Sequence, residues 1–283
     1  MSSDVILSVR DLETEFTTDD GVVKVLHGVN FDVRKGRTLG LVGESGCGKS
    51  VTAMSIIGLL PKPYGRVTKG QILYRGTDLV TLPPEKMYAM RGNRISVIFQ
   101  DPMTALNPVH SVGRQINEVL ELHRPELNKQ QRQAYCLEML TKVRIPMPEK
   151  RLKEYPHNLS GGMRQRVMIA MALACKPDIL ICDEPTTALD VTVQASILDL
   201  MIDLQEETGM AMIFITHDLG VVAEICDDVA VMYGGKVVEF ANVYDLFDNP
   251  QHPYTERLMG LMPSLDSESK QPIDTALFPE FNG

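Results

Sequence analysis

The chain of 283 residues carries 28 Lys and Arg against 37 Asp and Glu, a formal net charge of −9 at pH 7, with 44% hydrophobic and 23% charged residues. That is ordinary globular composition with room for one large core or two modest ones, and its acidity argues against binding a nucleic-acid backbone through a basic face. No stretch approaches the roughly 18 uninterrupted apolar residues of a membrane span, and Met1-Ser2-Ser3-Asp4 lacks the basic-then-apolar order of a signal peptide, so the chain is expected to stay in the cytosol.

Over the first 35 residues apolar and polar positions alternate, as in Ile6-Leu7-Ser8-Val9 and Val29-Asn30-Phe31-Asp32-Val33, about a turn at Asp19-Asp20-Gly21. This predicts an antiparallel β-layer. Thr38-Leu39-Gly40-Leu41-Val42 then predicts a buried strand leading into Gly43-Glu44-Ser45-Gly46-Cys47-Gly48-Lys49-Ser50, which fits the pattern G-x-x-x-x-G-K-[ST]. Glycines let successive backbone N–H groups turn inward as an anion nest, and the following helix presents its positive dipole end to phosphates. Lys49 adds a point charge near the β- and γ-phosphates, and the Ser50 hydroxyl can ligate Mg²⁺. A glycine-rich turn can be no more than a tight connection, but the strand before it, the helix after it and the closing Lys-Ser favour a nucleoside triphosphate. That helix is predicted from Ser50 to Leu60, ended by Pro61 and Pro63.

Further buried strands are predicted at Ile95-Ser96-Val97-Ile98-Phe99, Ile179-Leu180-Ile181-Cys182 and Ala211-Met212-Ile213-Phe214-Ile215. Strands alternating with helices predict an α/β fold with a mainly parallel sheet covered on both faces. Between about 102 and 159 the strand signal gives way to helical spacing, in Val112 to His123 and Asn128 to Val143, where Cys136, Leu140 and Val143 recur at i, i+4, i+7. The basic run of Arg144, Lys150, Arg151 and Lys153 there reads as a solvated loop. Val229 to Tyr233 and Lys236 to Phe240 flank Gly234-Gly235, a hairpin signature, and from Ser264 the chain turns polar and proline-punctuated. Cys47, Cys136, Cys175, Cys182 and Cys226 form no C-x-x-C pair, so neither a zinc site nor a disulfide framework is suggested.

Asp183 and Glu184 close the apolar strand Ile179 to Cys182, at the end where ligands bind in open α/β sheets. Alone they could be a helix-capping pair; with the phosphate loop, Asp183 reads as a holder of the Mg²⁺ shell and Glu184 as the base for the water attacking the γ-phosphate. Leu159-Ser160-Gly161-Gly162-Met163-Arg164-Gln165-Arg166 opens a long apolar helix. Ser160 is a natural N-cap, and the paired glycines let backbone N–H groups approach a second phosphate.

These residues resemble the LSGG signature of ATP-binding-cassette (ABC) ATPases, and the likeness covers nearly the whole chain. It implies a P-loop ABC nucleotide-binding domain over 1–263, a RecA-like core with the helical subdomain inserted at about 102–159, and a polar tail over 264–283. It further implies that Phe16 stacks on adenine, although a core aromatic fits there too. Gly43 to Val51 hold ATP, Gln100 is the Q-loop glutamine that senses Mg²⁺ and water, and His217 is the switch histidine. Ser160, Gly161, Gly162 and Met163, with Asp190 of the Ala188-Leu189-Asp190 D-loop, contact the ATP of a second subunit, and Ser50, Gln100 and Asp183 attend the metal. Val51 replaces a common threonine and Met163 the usual glutamine of the signature; neither change removes a catalytic group. Both resemble the dipeptide, oligopeptide and nickel importer branch, as do Gln100 to Pro108 and Asn249-Pro250-Gln251-His252-Pro253-Tyr254-Thr255. Members of that branch often bind an iron–sulfur cluster through C-terminal cysteines; none follows Cys226 here, so no cluster is expected.

The resemblance implies an ATPase subunit of a binding-protein-dependent importer of di- and oligopeptides at the cytoplasmic face of the inner membrane. Its expected partners are a second cassette, identical or paralogous, two integral-membrane permeases and, indirectly, a substrate-binding protein, with no nucleic acid. Nickel, glutathione-like peptides and short oligosaccharides stay open as cargo. A soluble cassette acting on ribosomes or DNA, and a silent cassette that only binds ATP, stand as rival readings. Cys47, inside the phosphate loop, is expected to be alkylated by maleimides and shielded by ATP.

Overall fold

The computed structural model describes residues 4–187 and 189–260. β1 (Val5–Thr18) and β2 (Gly21–Arg34) form a long antiparallel pair in which Leu12 faces Val29 and Thr18 faces Gly21. β3 (Thr38–Val42) is buried at every position and passes through the phosphate loop into α1 (Lys49–Ile56). The helix stops well before Pro61, because Gly58 takes a left-handed φ of +61° and Arg91 donates to the carbonyls of Ile57 and Gly58, each at 2.6 Å. A left-handed glycine and a cation on the last carbonyls end a helix more decisively than a distant proline.

β4 (Gly65–Tyr74) and β5 (Thr77–Asp78) extend the antiparallel layer in the order β2-β1-β4-β5. α2 (Pro84–Met90) and β6 (Ile95–Ile98) follow, then α3 (Pro102–Ala105), α4 (Val112–His123), α5 (Lys129–Lys142), α6 (Pro148–Arg151) and α7 (Gly161–Leu173). α4 and α5 occupy the stretches with helical periodicity. A capping box of Asn128 and Gln131 starts α5, and Cys136, Leu140 and Val143 pack with Ile116 and Leu120. Three of the four basic residues of the run are paired: Arg144 with Asp203, and Lys150 and Arg151 with Glu154.

The chain continues through β7 (Ile179–Asp183), α8 (Val191–Thr208), β8 (Ala211–Thr216), α9 (Leu219–Ile225), the hairpin β9 (Asp228–Tyr233) and β10 (Lys236–Asn242), α10 (Val243–Asp248) and α11 (Pro253–Gly260). Among the described residues the second sheet runs β10-β9-β3-β8-β7-β6, parallel throughout except for the β9–β10 hairpin. Its parallel strands bury both faces, while β10 at the edge is nowhere fully buried. Leu39, Leu41, Ile181, Ile213 and Ile215 face the antiparallel layer and α1, while Val42, Leu180, Cys182, Met212 and Phe214 face α7, α8 and α9. Two cores therefore clamp one sheet, and the C-terminal ends of β3, β7 and β8 are held side by side. No helix among the described residues is long and apolar enough to cross a membrane.

Candidate functional site

The parallel register sets Val42 of β3 beside Thr216 of β8, and Asp183 of β7 beside Ile215. Each strand thus delivers its following loop to one edge of the sheet, where α/β folds bind ligands. The loop after β3 turns at Gly43, whose φ is +150° and whose Cα carries no room for a Cβ, since one would overlap the Met232 carbonyl oxygen. Glycine is required there by space as well as by backbone angle. Lys49 lies beneath the loop, 5% exposed, with Nζ donating to the carbonyls of Gly43 at 2.7 Å and Glu44 at 2.9 Å. Glu44, Ser45 and Gly46 are exposed, as is Ser50, so the loop offers its backbone to a ligand from outside. Val51 is half-buried and packs into the core below rather than toward the loop.

The Ser50 hydroxyl donates to Asp183 Oδ1 at 3.0 Å. Burial raises the Asp183 pKa and the neighbouring Glu184 charge adds to this, against the Ser50 hydrogen bond and the Lys49 charge. Glu184 has φ +47°, in the left-handed region that disfavours a side chain by roughly 1–2 kcal/mol. Its N–H is tied to the Ile215 carbonyl at 3.0 Å. That turn out of β7 gives the two adjacent carboxylates different neighbours. Glu184 Oε2 accepts from Gln100 Nε2 at 3.1 Å and from Thr187 Oγ1 at 3.0 Å, and Oε1 lies 3.3 Å from His217 Nδ1. Three loops, following β6, β7 and β8, thus converge on one carboxylate. Backbone strain held by surrounding contacts is the pattern of a working site.

Ser160 caps α7 by accepting from the Met163 N–H at 3.4 Å, and Asp190 caps α8 by accepting from the Val193 N–H at 3.0 Å. Gly161 lies against Leu189, and a Cβ on Gly162 would come within 2.7 Å of Val193 Cγ1. Close approach of the Val193 side chain on α8 is thus a second reason for glycine at 162, distinct from phosphate binding. Met163 is half-buried against the helical core. Ala188 of the D-loop lies outside the described residues. Phe16 sits on β1, opposite Val23 and Gly65, half-buried with its ring edge on Gly65.

Sequence reasoning missed Thr187, whose role appears only once the loop after β7 folds back on Glu184. It also gave no role to Gly235, whose N–H donates to the Cys47 carbonyl at 3.1 Å, or to Tyr254, whose hydroxyl accepts the Glu44 N–H at 3.0 Å. The structure points to a different behaviour for Cys47. Its thiol is buried, and burial pushes its pKa up against the opposing pull of Lys49. Since the thiolate is the reacting form, maleimide modification near neutral pH is expected to be slow with or without ATP. A mass-spectrometric time course showing rapid labelling of Cys47 would contradict this geometry.

Residues 26–187 match the ABC transporter family profile, and residues 238–277 match the oligopeptide/dipeptide transporter C-terminal region. The chain belongs to the ABC transporter family. It is an ABC-type ATPase cassette, and relatives support the assignment over almost its full length. A probable peptide ABC transporter ATP-binding protein of Sinorhizobium fredii is 57% identical, the match covering 92% of this chain and 78% of the relative. The dipeptide transport ATP-binding protein DppD of Bacillus subtilis is 54% identical over 95% of this chain and 81% of its own. Among solved structures, the dimeric ABC transporter cassette MJ0796 superposes with a TM-score of 0.74 at 26% identity, covering 84% of this cassette and 98% of that one. A second structure of MJ0796 is a dimeric post-hydrolysis state bound to ADP and Pi.

Proposed function

We propose that this cassette is the ATP-hydrolysing subunit of a binding-protein-dependent importer of di- and oligopeptides, working at the cytoplasmic face of the inner membrane. The observation that carries the hydrolytic part is the Glu184 carboxylate, held by Gln100, Thr187 and His217 beside the phosphate loop. The match of 238–277 to a peptide-transporter C-terminal region supports the cargo class, as do the names of the relatives.

In this reading residues 1–263 are one nucleotide-binding domain, with the helical segment of about 102–159 inserted; the expected tail of 264–283 lies outside the described residues. The amides of Gly43 to Val51 and the Lys49 ammonium hold the ATP phosphates, and Phe16 stacks on the adenine. Ser50 and Asp183 offer hard oxygen donors of the kind Mg²⁺ takes alongside phosphate and water, and Gln100 borders that position. Bound there, Mg²⁺ would neutralise charge on the β- and γ-phosphate oxygens. Glu184 accepts the proton of the attacking water, and His217 faces the γ-phosphate.

A second cassette, identical or paralogous, completes each site: Ser160, Gly161, Gly162, Met163 and Asp190 of this chain contact the ATP that the second cassette holds. ATP closes that pair, hydrolysis reopens it, and α3 to α6 pass the movement to two integral-membrane permeases fed by a binding protein. In the source organism, deletion of the gene is expected to abolish uptake of labelled di- and tripeptides, with rescue by the wild-type chain and not by Glu184→Gln. Intact peptide uptake with loss of nickel or oligosaccharide uptake would move the cargo to those classes.

A further inference from the structure

Asn249-Pro250-Gln251-His252-Pro253-Tyr254-Thr255 takes no part in the cluster around Glu184, yet its geometry is fixed at every step. The Glu239 carboxylate on β10 accepts from the backbone N–H groups of Gln251 at 2.8 Å and His252 at 3.0 Å, just ahead of α11. A carboxylate on the free amides of a helix start both satisfies them and complements the helix dipole. Pro253 opens the helix, where its missing N–H costs nothing. His252 Nδ1 accepts from the Tyr254 N–H at 3.1 Å. The Tyr254 ring then packs on Tyr233, the last residue of β9, with centroids 4.4 Å apart and planes tilted by 38°.

From this position the Tyr254 hydroxyl accepts the Glu44 N–H at 3.0 Å. The same peptide unit carries the Gly43 carbonyl, which accepts from Lys49 Nζ at 2.7 Å. One peptide plane of the phosphate loop is therefore gripped at both ends, by the lysine at its oxygen and by the tyrosine at its hydrogen. Without the second grip the plane is held at its oxygen alone, and Gly43 has no side chain to oppose a flip. Gly235 holds the loop again at the Cys47 carbonyl. The segment between these two anchors, Ser45 and Gly46, is exposed. Burial pushes the Tyr254 hydroxyl up, so it stays neutral and able to accept across the physiological range.

We propose that Tyr254 is a positioning residue for nucleotide binding. By fixing the Gly43–Glu44 peptide it presets the phosphate loop and the Lys49 ammonium, and it makes nucleotide affinity depend on the seating of the C-terminal segment. The inference rests on the phosphate loop being the nucleotide site.

Tyr254→Phe keeps the ring against Tyr233 and removes only the acceptor. Losing one hydrogen bond of this kind is expected to raise the dissociation constant for ATP and for ADP about threefold to tenfold in the purified full chain. In the assembled transporter KM for ATP should rise by the same factor, with kcat at saturating ATP within about twofold of wild type. Equal nucleotide affinity in wild type and variant would overturn the proposal. So would a loss of affinity accompanied by rapid hydrogen exchange throughout α11, since Tyr254 would then be only an anchor of the helix. Independently of any variant, the Glu44 amide should exchange more slowly than the Ser45 amide in wild type; equal rates would also overturn it. A wild-type chain that binds no nucleotide would instead sink the phosphate-loop reading beneath it.

Discussion

Glu184→Gln is expected to leave nucleotide binding near the wild-type level while slowing hydrolysis about 10²–10⁴-fold, the range for loss of a positioned general base. The substitution is nearly isosteric. One amide oxygen can still accept from Gln100 and Thr187, which share Oε2, so the loop after β7 is expected to keep its shape. What is lost is the capacity to take a proton from water. The left-handed backbone at Glu184 also makes sense in these terms, because a relaxed strand end would leave the carboxylate with different neighbours. Single-turnover phosphate release in the assembled transporter, paired with equilibrium nucleotide binding, separates the two effects. Turnover near wild type would remove Glu184 from the role of base.

Lys49→Ala is expected to act on binding instead. Lys49 is 5% exposed and its ammonium rests on the carbonyls of Gly43 and Glu44, where the proposed reading brings phosphate oxygens above the loop. Truncating one partner of a buried, hydrogen-bonded charge pair costs about 2–5 kcal/mol, roughly 30-fold to 5,000-fold in affinity. The alanine also leaves the Gly43 carbonyl without this donor, while the Glu44 carbonyl keeps the Cys47 N–H at 3.3 Å, so some local loosening of the loop is expected alongside. Equilibrium binding of ATP to the purified variant checks this, and affinity within a few-fold of wild type would place the phosphates elsewhere.

The parts of this molecule legible in the sequence are those that local chemistry determines. Thr38 to Val42 had to be a buried strand because every position is apolar or small, and the phosphate loop declares itself by its glycines and Lys49. α4 and α5 follow from periodicity, with Asn128 marking a start. β4 was not legible, since its own residues alternate weakly; it becomes a strand because β1 offers Leu7 to Tyr74 and Val9 to Ile72. The early end of α1 was hidden because Arg91, far along the chain, caps it. Within the site, Asp183, Glu184, Gln100 and His217 were named from motif positions. Their convergence on the single Glu184 carboxylate, with Thr187 added, depends on the parallel register of β6, β7 and β8. Neither the burial of Cys47 nor the packing of Met232 under the loop can be read from neighbours in sequence. Tyr254 reaches Glu44 across most of the chain, a contact that no local pattern encodes.

The most direct measurement of the central claim is affinity purification of tagged Glu184→Gln chain from native membranes with ATP and Mg²⁺, with mass spectrometry of whatever co-purifies in stoichiometric amount. Arrested hydrolysis should hold the cassettes closed, and the account predicts two polytopic permeases together with a second cassette. Ribosomal proteins, DNA-associated factors or the absence of any membrane partner would contradict it.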